Sequence, residues 1–335
     1  MNQLSLQTMR GFLTESIATS ARKKAKGSKK KRKKPNEKAI RNKLYGLLAE
    51  VHLRTYLEGL GFGNRVSRGG WIARRTGAGV FAHNTAVFFP EIMQYGVEYG
   101  PTRKMPQPDH GLHTICSTFR QTGIMPFFCA GIVETENNPL SLRWRAVELG
   151  LPTEEKYKDF PKCVETSFVR RKMKYNFLKY ETDTTTIPDN AVAEEFSKEH
   201  LRIAFQNEFI AEVSDVDGIF WGKQLTYPLE IKEKVPATDS RFGAYFGLDV
   251  GPFVKLAHYA ALRGNLHSLF IVREINNVEE RELVNWWYIT FDEVAKFASW
   301  VPMKGGINMG GGGSSVVCIP KHEFKLLDAV NLAEL

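Results

Sequence analysis

The chain has little cysteine and no long apolar run. Only four of its 335 residues are Cys, and they are scattered, so we expect no disulfide framework. No apolar stretch approaches the roughly 18 to 20 residues that cross a bilayer, and the first residues lack the basic-then-apolar order of a secretory signal. With 43% hydrophobic residues, the chain can bury a globular core. We therefore expect a cytoplasmic protein with no membrane partner.

Positive charge is concentrated in one segment. The formal net charge is +9, yet the segment from Arg22 to Lys43 alone holds thirteen Lys or Arg and one acid, Glu37, which gives +12. The rest of the chain therefore sums to 9 − 12 = −3. The positive surplus is local, and the remaining chain is near neutral or slightly acidic.

The basic segment predicts a binding partner that is a polyanion. Its residues repel one another and bury nothing, so we expect residues 1–37 to form a disordered tail and residues 38–335 to form a single domain. A solubilising or targeting tail would have the same composition. The residues that we expect to contact DNA phosphates in this tail are Lys30, Lys31 and Arg32.

Apolar periodicity predicts a helix over residues 38–60. Glu50 falls inside the apolar arc of this helix. A carboxylate in that position needs a metal, a Lys or backbone donors as its partner, unless it lies at the helix margin and reaches water.

The second half of the chain predicts a regular alternation of elements, whereas residues 64–190 predict short strands and loops with Gly-rich turns and basic clusters. The expected elements are a helix over 190–206, strands over 209–220 and 225–232, a helix over 251–264, strands over 266–272 and 286–290, and a helix over 292–300. The Gly-rich stretch from Gly305 to Ser315 lacks a following Lys-Ser or Lys-Thr, so we expect no nucleotide cofactor.

The segment Asp217–Lys232 (DGIFWGKQLTYPLEIK) carries the most chemical information. Side chains alternate along a strand, so Glu230 and Lys232 project from one face while the apolar residues between them project from the other. A turn centred on Gly222 and Lys223 would place Asp215 directly opposite Glu230 and Asp217 diagonal to it.

Two carboxylates whose side chains converge on one position predict a binding site for a hard divalent cation. Mg²⁺ takes oxygen ligands and keeps waters, which leaves positions for a phosphate oxygen and an attacking water. Lys232 would orient or deprotonate that water and offset charge on the phosphate. This chemistry is metal-dependent phosphodiester hydrolysis. The alternative is a surface hairpin in which Glu230 and Lys232 form ordinary ion pairs.

Asp217 followed by Glu230-Ile231-Lys232 resembles the Asp…Glu-x-Lys motif of the PD-(D/E)xK nuclease superfamily, which includes type II restriction endonucleases, junction resolvases and repair nucleases. The order of elements is similar as well: an acid at a strand end, the triplet on the next strand, then a helix and an apolar strand. Val216 stands where the motif often has Pro. The resemblance implies an α/β fold with a restriction-endonuclease-like core, in which helices flank a central mixed β-sheet.

The same resemblance implies the site residues. Mg²⁺ would be held by Asp217, Glu230 and Ile231, and the catalytic residues would be Asp217, Glu230, Lys232 and a helix acid. We take Glu50 as that acid because of its place on the helical wheel, while Glu194 or Glu195 remains open. Residues 64–190 would then be a large DNA-recognition insertion between the first core helix and the catalytic hairpin, and residues 191–300 the catalytic core.

The implied function is that of a Mg²⁺-dependent, sequence-specific endonuclease of a restriction system, a type II site-specific deoxyribonuclease in a prokaryotic cytosol. Cutting both strands of double-stranded DNA needs two copies of the site, so we expect a homodimer. Arg74 and Arg75 are candidate DNA contacts. The alternatives are a structure-specific resolvase or repair nuclease, and a non-catalytic DNA-binding protein.

A zinc site is a further open alternative. His110, His113 and Cys116 follow one another at intervals of three, with Cys129 further on. Two His and two Cys suit tetrahedral zinc, but neither half has the usual Cys-x2-Cys or His-x3-His spacing.

Overall fold

A computed structural model describes most of the chain. The described residues are 2–20, 37–75, 86–93, 110–150, 157–171, 186–262, 265–305 and 314–335. Their helices are α1 (Leu6–Ser20), α2 (Glu37–Gly59), α3 (His110–Gln121), α4 (Asp189–Glu208), α5 (Val250–Ala261), α6 (Phe291–Phe297) and α7 (Ala329–Glu334).

The strands follow the same chain order. They are β1 (Val66–Ser67), β2 (Gly70–Arg75), β3 (Ala86–Ile92), β4 (Met125–Val133), β5 (Leu142–Glu148), β6 (Lys158–Asp159), β7 (Val169–Arg170), β8 (Phe209–Val216), β9 (Ile219–Trp221), β10 (Thr226–Lys234), β11 (Ala237–Asp239), β12 (Gly243–Asp249), β13 (Leu269–Ile275), β14 (Leu283–Thr290), β15 (Met303–Lys304), β16 (Ser315–Pro320) and β17 (Lys325–Leu326). The α/β class predicted from the sequence is confirmed.

The chain divides into two compact units. Unit 1 comprises Met1–Leu48 and Arg68–Asp215, and unit 2 comprises Ala49–Ser67 and Val216–Leu335. One boundary falls inside α2, because this long helix contributes its first half to one unit and its second half to the other. Periodicity predicts such a helix as one element and gives no sign of the division.

Unit 1 is built on a seven-stranded sheet with the strand order β6-β5-β4-β3-β2-β8-β7. β3 and β4 pair in parallel, whereas β2–β3 and β4–β5 are antiparallel, so the sheet is mixed. α1 packs against α4, where the ring centroids of Phe12 and Phe196 lie 5.1 Å apart in an edge-to-face contact.

The N-terminal segment differs from the disordered tail that its neighbouring charge suggested. Residues Leu6–Ser20 form α1, and Met9, Leu13 and Ile17 are buried in unit 1. Their spacing of four residues is the pattern of an apolar helix face, which the adjacent run of lysines obscured. Residues 21–36, which hold ten of the thirteen Lys and Arg of the basic segment, lie outside the described part of the chain.

Unit 2 has a six-stranded central sheet with the strand order β1-β9-β10-β13-β14-β17. β10 and β13 are parallel, while β9–β10 and β13–β14 are antiparallel. A parallel pair needs a crossover connection, and α5 lies in the segment that joins these two strands.

Both faces of this central sheet are covered. On one face, the second half of α2 packs through Ala49, Leu53 and Leu57 against Leu229 and Ile231 of β10, and α7 joins the same core. On the other face, α5, α6 and the four-stranded sheet β11-β12-β16-β15 enclose a second core, whose members are Phe246, Leu248, Leu256, Phe270, Val272, Ile289, Val294, Val317, Ile319 and Phe324. β10 is therefore a central strand buried between two layers.

Three of the predicted helices are confirmed with small shifts at their ends: α2, α4 and α5 correspond to the helices expected at 38–60, 190–206 and 251–264. The single strand predicted over 209–220 is wrong. The chain leaves β8, in the sheet of unit 1, at Val216 and enters β9, in the sheet of unit 2, at Ile219. In the described residues, no helix is both long enough and apolar enough to span a membrane.

Candidate active site

The β9–β10 hairpin has a different register from the one predicted. Trp221 pairs with Thr226, and Ile219 with Pro228. The loop therefore spans four residues, closed by a hydrogen bond of 2.9 Å from the Gly222 N–H to the Leu225 carbonyl. The loop is two residues longer than predicted, so the pairing of the two strands shifts by two residues. When this register is extended along the chain, Asp217 rather than Asp215 lies opposite Glu230.

Gly222 explains why the loop closes in this way. A Cβ atom built there would lie 2.8 Å from the Leu225 oxygen and 2.8 Å from the Tyr227 ring, and it would overlap the Leu335 oxygen. Only glycine leaves room for these neighbours. The hairpin register, and with it the position of Asp217, therefore depends on this residue.

Asp217 lies in the short link between β8 and β9. It is 3% exposed, and its Oδ2 atom accepts a hydrogen bond of 2.7 Å from the Ile231 N–H. A carboxylate that accepts a backbone N–H is fixed in position and stabilised in its ionised form. This bond ties Asp217 to the strand position next to Glu230.

Glu230 is the most buried acid of the site, at 1% exposed. Its Oε1 atom lies 2.6 Å from Lys232 Nζ, and its Oε2 atom contacts Lys255 Nζ. Because Leu229 and Ile231 pack into the core on the other face of the sheet, the predicted alternation along this strand is confirmed. The predicted pair of Glu230 and Lys232 is thus present, but it is not on a surface hairpin.

Lys255 was not identified from the sequence. It lies on α5, more than twenty residues after Lys232, and its side chain is 15% exposed. The segment VGPFVKLAHYAA shows an apolar helix face but no motif that marks its single lysine. Only the packing of α5 on the face of the sheet that carries Glu230 reveals it.

A third lysine extends the charged row along β10. Desolvation by burial lowers the pKa of Lys234, and the positive charge of Lys232 lowers it further. The carboxylates of Asp249 and Glu230 oppose this shift. Residues 230, 232 and 234 share one face of the strand, so an acid and two lysines follow one another there.

Glu50, the acid expected from the first core helix, lies on the part of α2 that belongs to unit 2. The half of α2 that contains Glu50 packs on the Leu229 and Ile231 face of the sheet, opposite to the face of Glu230. Glu50 is half-buried beside Ala49. Glu50 therefore lies at the margin of this core, in agreement with its place in the apolar arc of the helix.

The alternative acids lie in unit 1 on α4. Glu195 is 3% exposed and its Oε2 lies 2.7 Å from Lys198 Nζ, whereas Glu194 lies 3.8 Å from Arg68. Each of these two carboxylates has a cationic partner within its own unit.

The candidate DNA contacts fall into two groups. Lys30, Lys31 and Arg32 lie outside the described residues. Arg74 and Arg75 lie on β2 in unit 1: an Arg74 amino group is 2.8 Å from Glu212, and Arg75 Nε donates to the Ser167 carbonyl at 2.8 Å. Both guanidinium groups therefore have partners within the chain.

The suggested zinc ligands do not form a recognisable centre. Cys116 on α3 and Cys129 on β4 are buried, and burial raises the pKa of both thiols, which disfavours the thiolate that zinc needs. The side chain of His110 lies outside the described part of the structure. Within that part, no group of three or more His, Cys, Asp and Glu residues is placed to hold a metal.

A Mg²⁺ site that uses only two carboxylates has fewer side-chain ligands than such a group of three. Asp217, just before β9, and Glu230, on β10, offer hard oxygen donors. Ile231, which bonds to Asp217 through its N–H, lies between Glu230 and Lys232. Two carboxylates, a main-chain carbonyl and several waters are a donor set that Mg²⁺ accepts. The residues present therefore fit this ion by donor type.

The buried ion pairs around Glu230 allow a prediction about folding stability that does not depend on what the protein does. Glu230→Gln leaves the ammonium groups of Lys232 and Lys255 close together with no carboxylate between them. We expect it to lower the free energy of unfolding by about 2 to 4 kcal/mol, as for a broken buried ion pair. Adding Lys255→Met removes one of the two cations and should restore part of this loss. Urea unfolding of the single and double variants measures both values.

The matched control is Glu279→Gln, which removes an exposed carboxylate from the same unit. It should change the free energy of unfolding by less than about 0.5 kcal/mol. An equal effect of the two Gln variants would contradict the buried cluster.

Comparisons with known proteins give no match: no family model fits the chain, and neither a curated protein nor a solved structure is similar to it. What the chain does must therefore be inferred from its own residues.

Proposed function

We propose that the chain is a Mg²⁺-dependent nuclease that hydrolyses phosphodiester bonds of double-stranded DNA. The observation that carries this proposal is the position of Asp217, bonded through Oδ2 to the Ile231 N–H beside Glu230, with Lys232 on the same face as Glu230. A purely structural ion pair needs one acid and one base. Here two lysines contact the buried Glu230, and a second buried acid, Asp217, is bonded to the backbone of the next residue, as a site for a cation and a phosphate would require.

Each residue has a role in this reaction. Asp217 and Glu230 would hold the metal through carboxylate oxygens, and Ile231 would contribute its main-chain carbonyl. The bound ion would polarise the phosphate and lower the pKa of a bound water. Lys232 lies beside Glu230 and is 32% exposed, so its ammonium group can reach a substrate phosphate, orient the attacking water and offset charge that develops on the phosphorus.

The arrangement of unit 2 supports a restriction-endonuclease-like core. An acid precedes the first strand of a hairpin, and the Glu-x-Lys triplet lies on the second strand. The segment β11-β12-α5 then leads to a parallel apolar strand. Helices cover both faces of the mixed sheet. This order is similar to that of the PD-(D/E)xK nucleases.

Sequence specificity and dimerisation form the finer part of the proposal. The residues between α2 and the hairpin build most of unit 1, a separate unit with its own seven-stranded sheet. An insertion of this size suits a DNA-recognition element better than a compact structure-specific resolvase. Cleavage of both strands of a palindrome would use two copies of the chain.

Incubation with plasmid DNA, with and without Mg²⁺, tests the proposal. We expect discrete fragments that form only with Mg²⁺. Asp217→Ala and Lys232→Ala should reduce the cleavage rate by at least about a hundredfold, because each removes a group needed in the transition state. DNA binding, measured in Ca²⁺, should remain. Lys325→Ala, which changes an exposed lysine of the same unit, should cleave like the wild type.

Other outcomes identify the alternatives. A smear would indicate a nonspecific nuclease, and cleavage of branched DNA alone would indicate a resolvase or repair enzyme. Intact DNA under all conditions, with binding retained, would indicate a non-catalytic DNA-binding protein and reject the proposal.

The basic segment is proposed to bind DNA phosphates without sequence preference. Because α1 is packed in unit 1, deleting residues 1–37 would also remove part of a core. Replacing Lys30, Lys31 and Arg32 by Gln avoids this. We expect the slope of log K against log salt to become shallower by up to about 3, since each phosphate contact contributes about 0.9. Fluorescence anisotropy across a salt series measures the slope.

The control removes the same net charge elsewhere, through Gln at the exposed residues Lys223, Lys304 and Lys325. If both triple variants changed the slope equally, the effect would come from overall charge and the tail would have no special role.

A further inference from the structure

Glu230 is held by two lysines from different elements. Lys232, two residues further along β10, contacts Oε1 at 2.6 Å, and Lys255, on α5, contacts Oε2. Both oxygens of a carboxylate that is 1% exposed are therefore engaged by ammonium groups. A divalent cation that binds Glu230 must compete with one of them.

The charges around Glu230 balance before any cation binds. Asp217 and Glu230 contribute two negative charges, and Lys232 and Lys255 contribute two positive charges. A divalent ion added to this neutral, largely buried cluster would leave two uncompensated positive charges, which is strongly unfavourable. Binding therefore requires that one ammonium group withdraw.

Lys255 is the ammonium group that can withdraw. Lys232 is anchored on the same strand as Glu230, so it stays beside the carboxylate whichever oxygen it contacts. Lys255 reaches the carboxylate from a different element, α5, so its contact with Oε2 can open without moving any residue of β10. The reaction proposed above also needs Lys232, but not Lys255, in its present position.

We propose that Lys255 occupies the place of the divalent cation at Glu230 and competes with it, so that this lysine sets the metal affinity of the site. This inference rests on the proposed function, because it takes Asp217 and Glu230 as the metal ligands. In the metal-free protein, Lys255 satisfies the buried carboxylate. When the ion enters, Lys255 leaves Oε2, and the displaced positive charge is available to the phosphates of the substrate.

Metal binding by the purified full-length chain tests the inference without an activity assay. Mn²⁺ is the probe, and the free ion is counted by electron paramagnetic resonance. Lys255→Gln removes the competing charge and should bind Mn²⁺ about tenfold more tightly than the wild type. Lys255→Arg keeps the charge and should bind like the wild type. Lys296→Gln, which removes an equal charge from α6, should stay within about twofold of it.

Thermal unfolding provides a second measurement and shows that the variants fold. Without metal, Lys255→Gln should unfold at a lower temperature than the wild type, because Glu230 loses one partner. Saturating Mn²⁺ should raise its Tm by more than it raises that of the wild type, since tighter binding stabilises more.

The possible results separate the two proposals. If the wild type binds Mn²⁺ and Lys255→Gln binds it equally or less tightly, the competition is wrong and the metal site stands. If Lys255→Gln binds Mn²⁺ where the wild type does not, the competition is supported. If neither binds Mn²⁺, both the inference and the proposed function are overturned.

Discussion

The carboxylate of Glu230 is the group on which the arrangement of unit 2 depends. It lies in the central strand of a sheet that is covered on both faces, with 1% of its surface exposed. A buried charge of this kind is tolerated only when neighbouring groups compensate it. Lys232 and Lys255 do so, and they come from β10 and α5. The strand, the crossover helix and the hairpin that carries Asp217 must therefore assemble together around one ionised side chain.

Much of this arrangement could be predicted from the sequence, because it follows from local periodicity. α2, α4 and α5 show the spacing of apolar helix faces, and the alternation along Thr226–Lys234 separates Glu230 and Lys232 from the apolar residues between them. The link between Asp217 and this strand comes instead from the resemblance of these residues to a known motif. The spacing of Met9, Leu13 and Ile17 also marked α1, although the charge beside it led to the opposite expectation.

The rest could not be predicted because it depends on contacts between distant residues. The hairpin register follows from a loop whose Gly222 packs against Leu335, more than a hundred residues away. The role of Lys255 follows from the packing of α5 on the sheet. The division into two units crosses a helix that has no break in its own pattern. None of these features has a local sequence pattern of its own.

We propose that Asp217 and Glu230 together hold a divalent cation. A crystal of the full chain soaked in Mn²⁺, with anomalous diffraction used to locate the ion, tests this proposal most directly. We expect one strong anomalous peak between the two carboxylates, with the Lys255 ammonium group moved away from Glu230. A fully soaked crystal with no peak there, and with Lys255 still on the carboxylate, would contradict it.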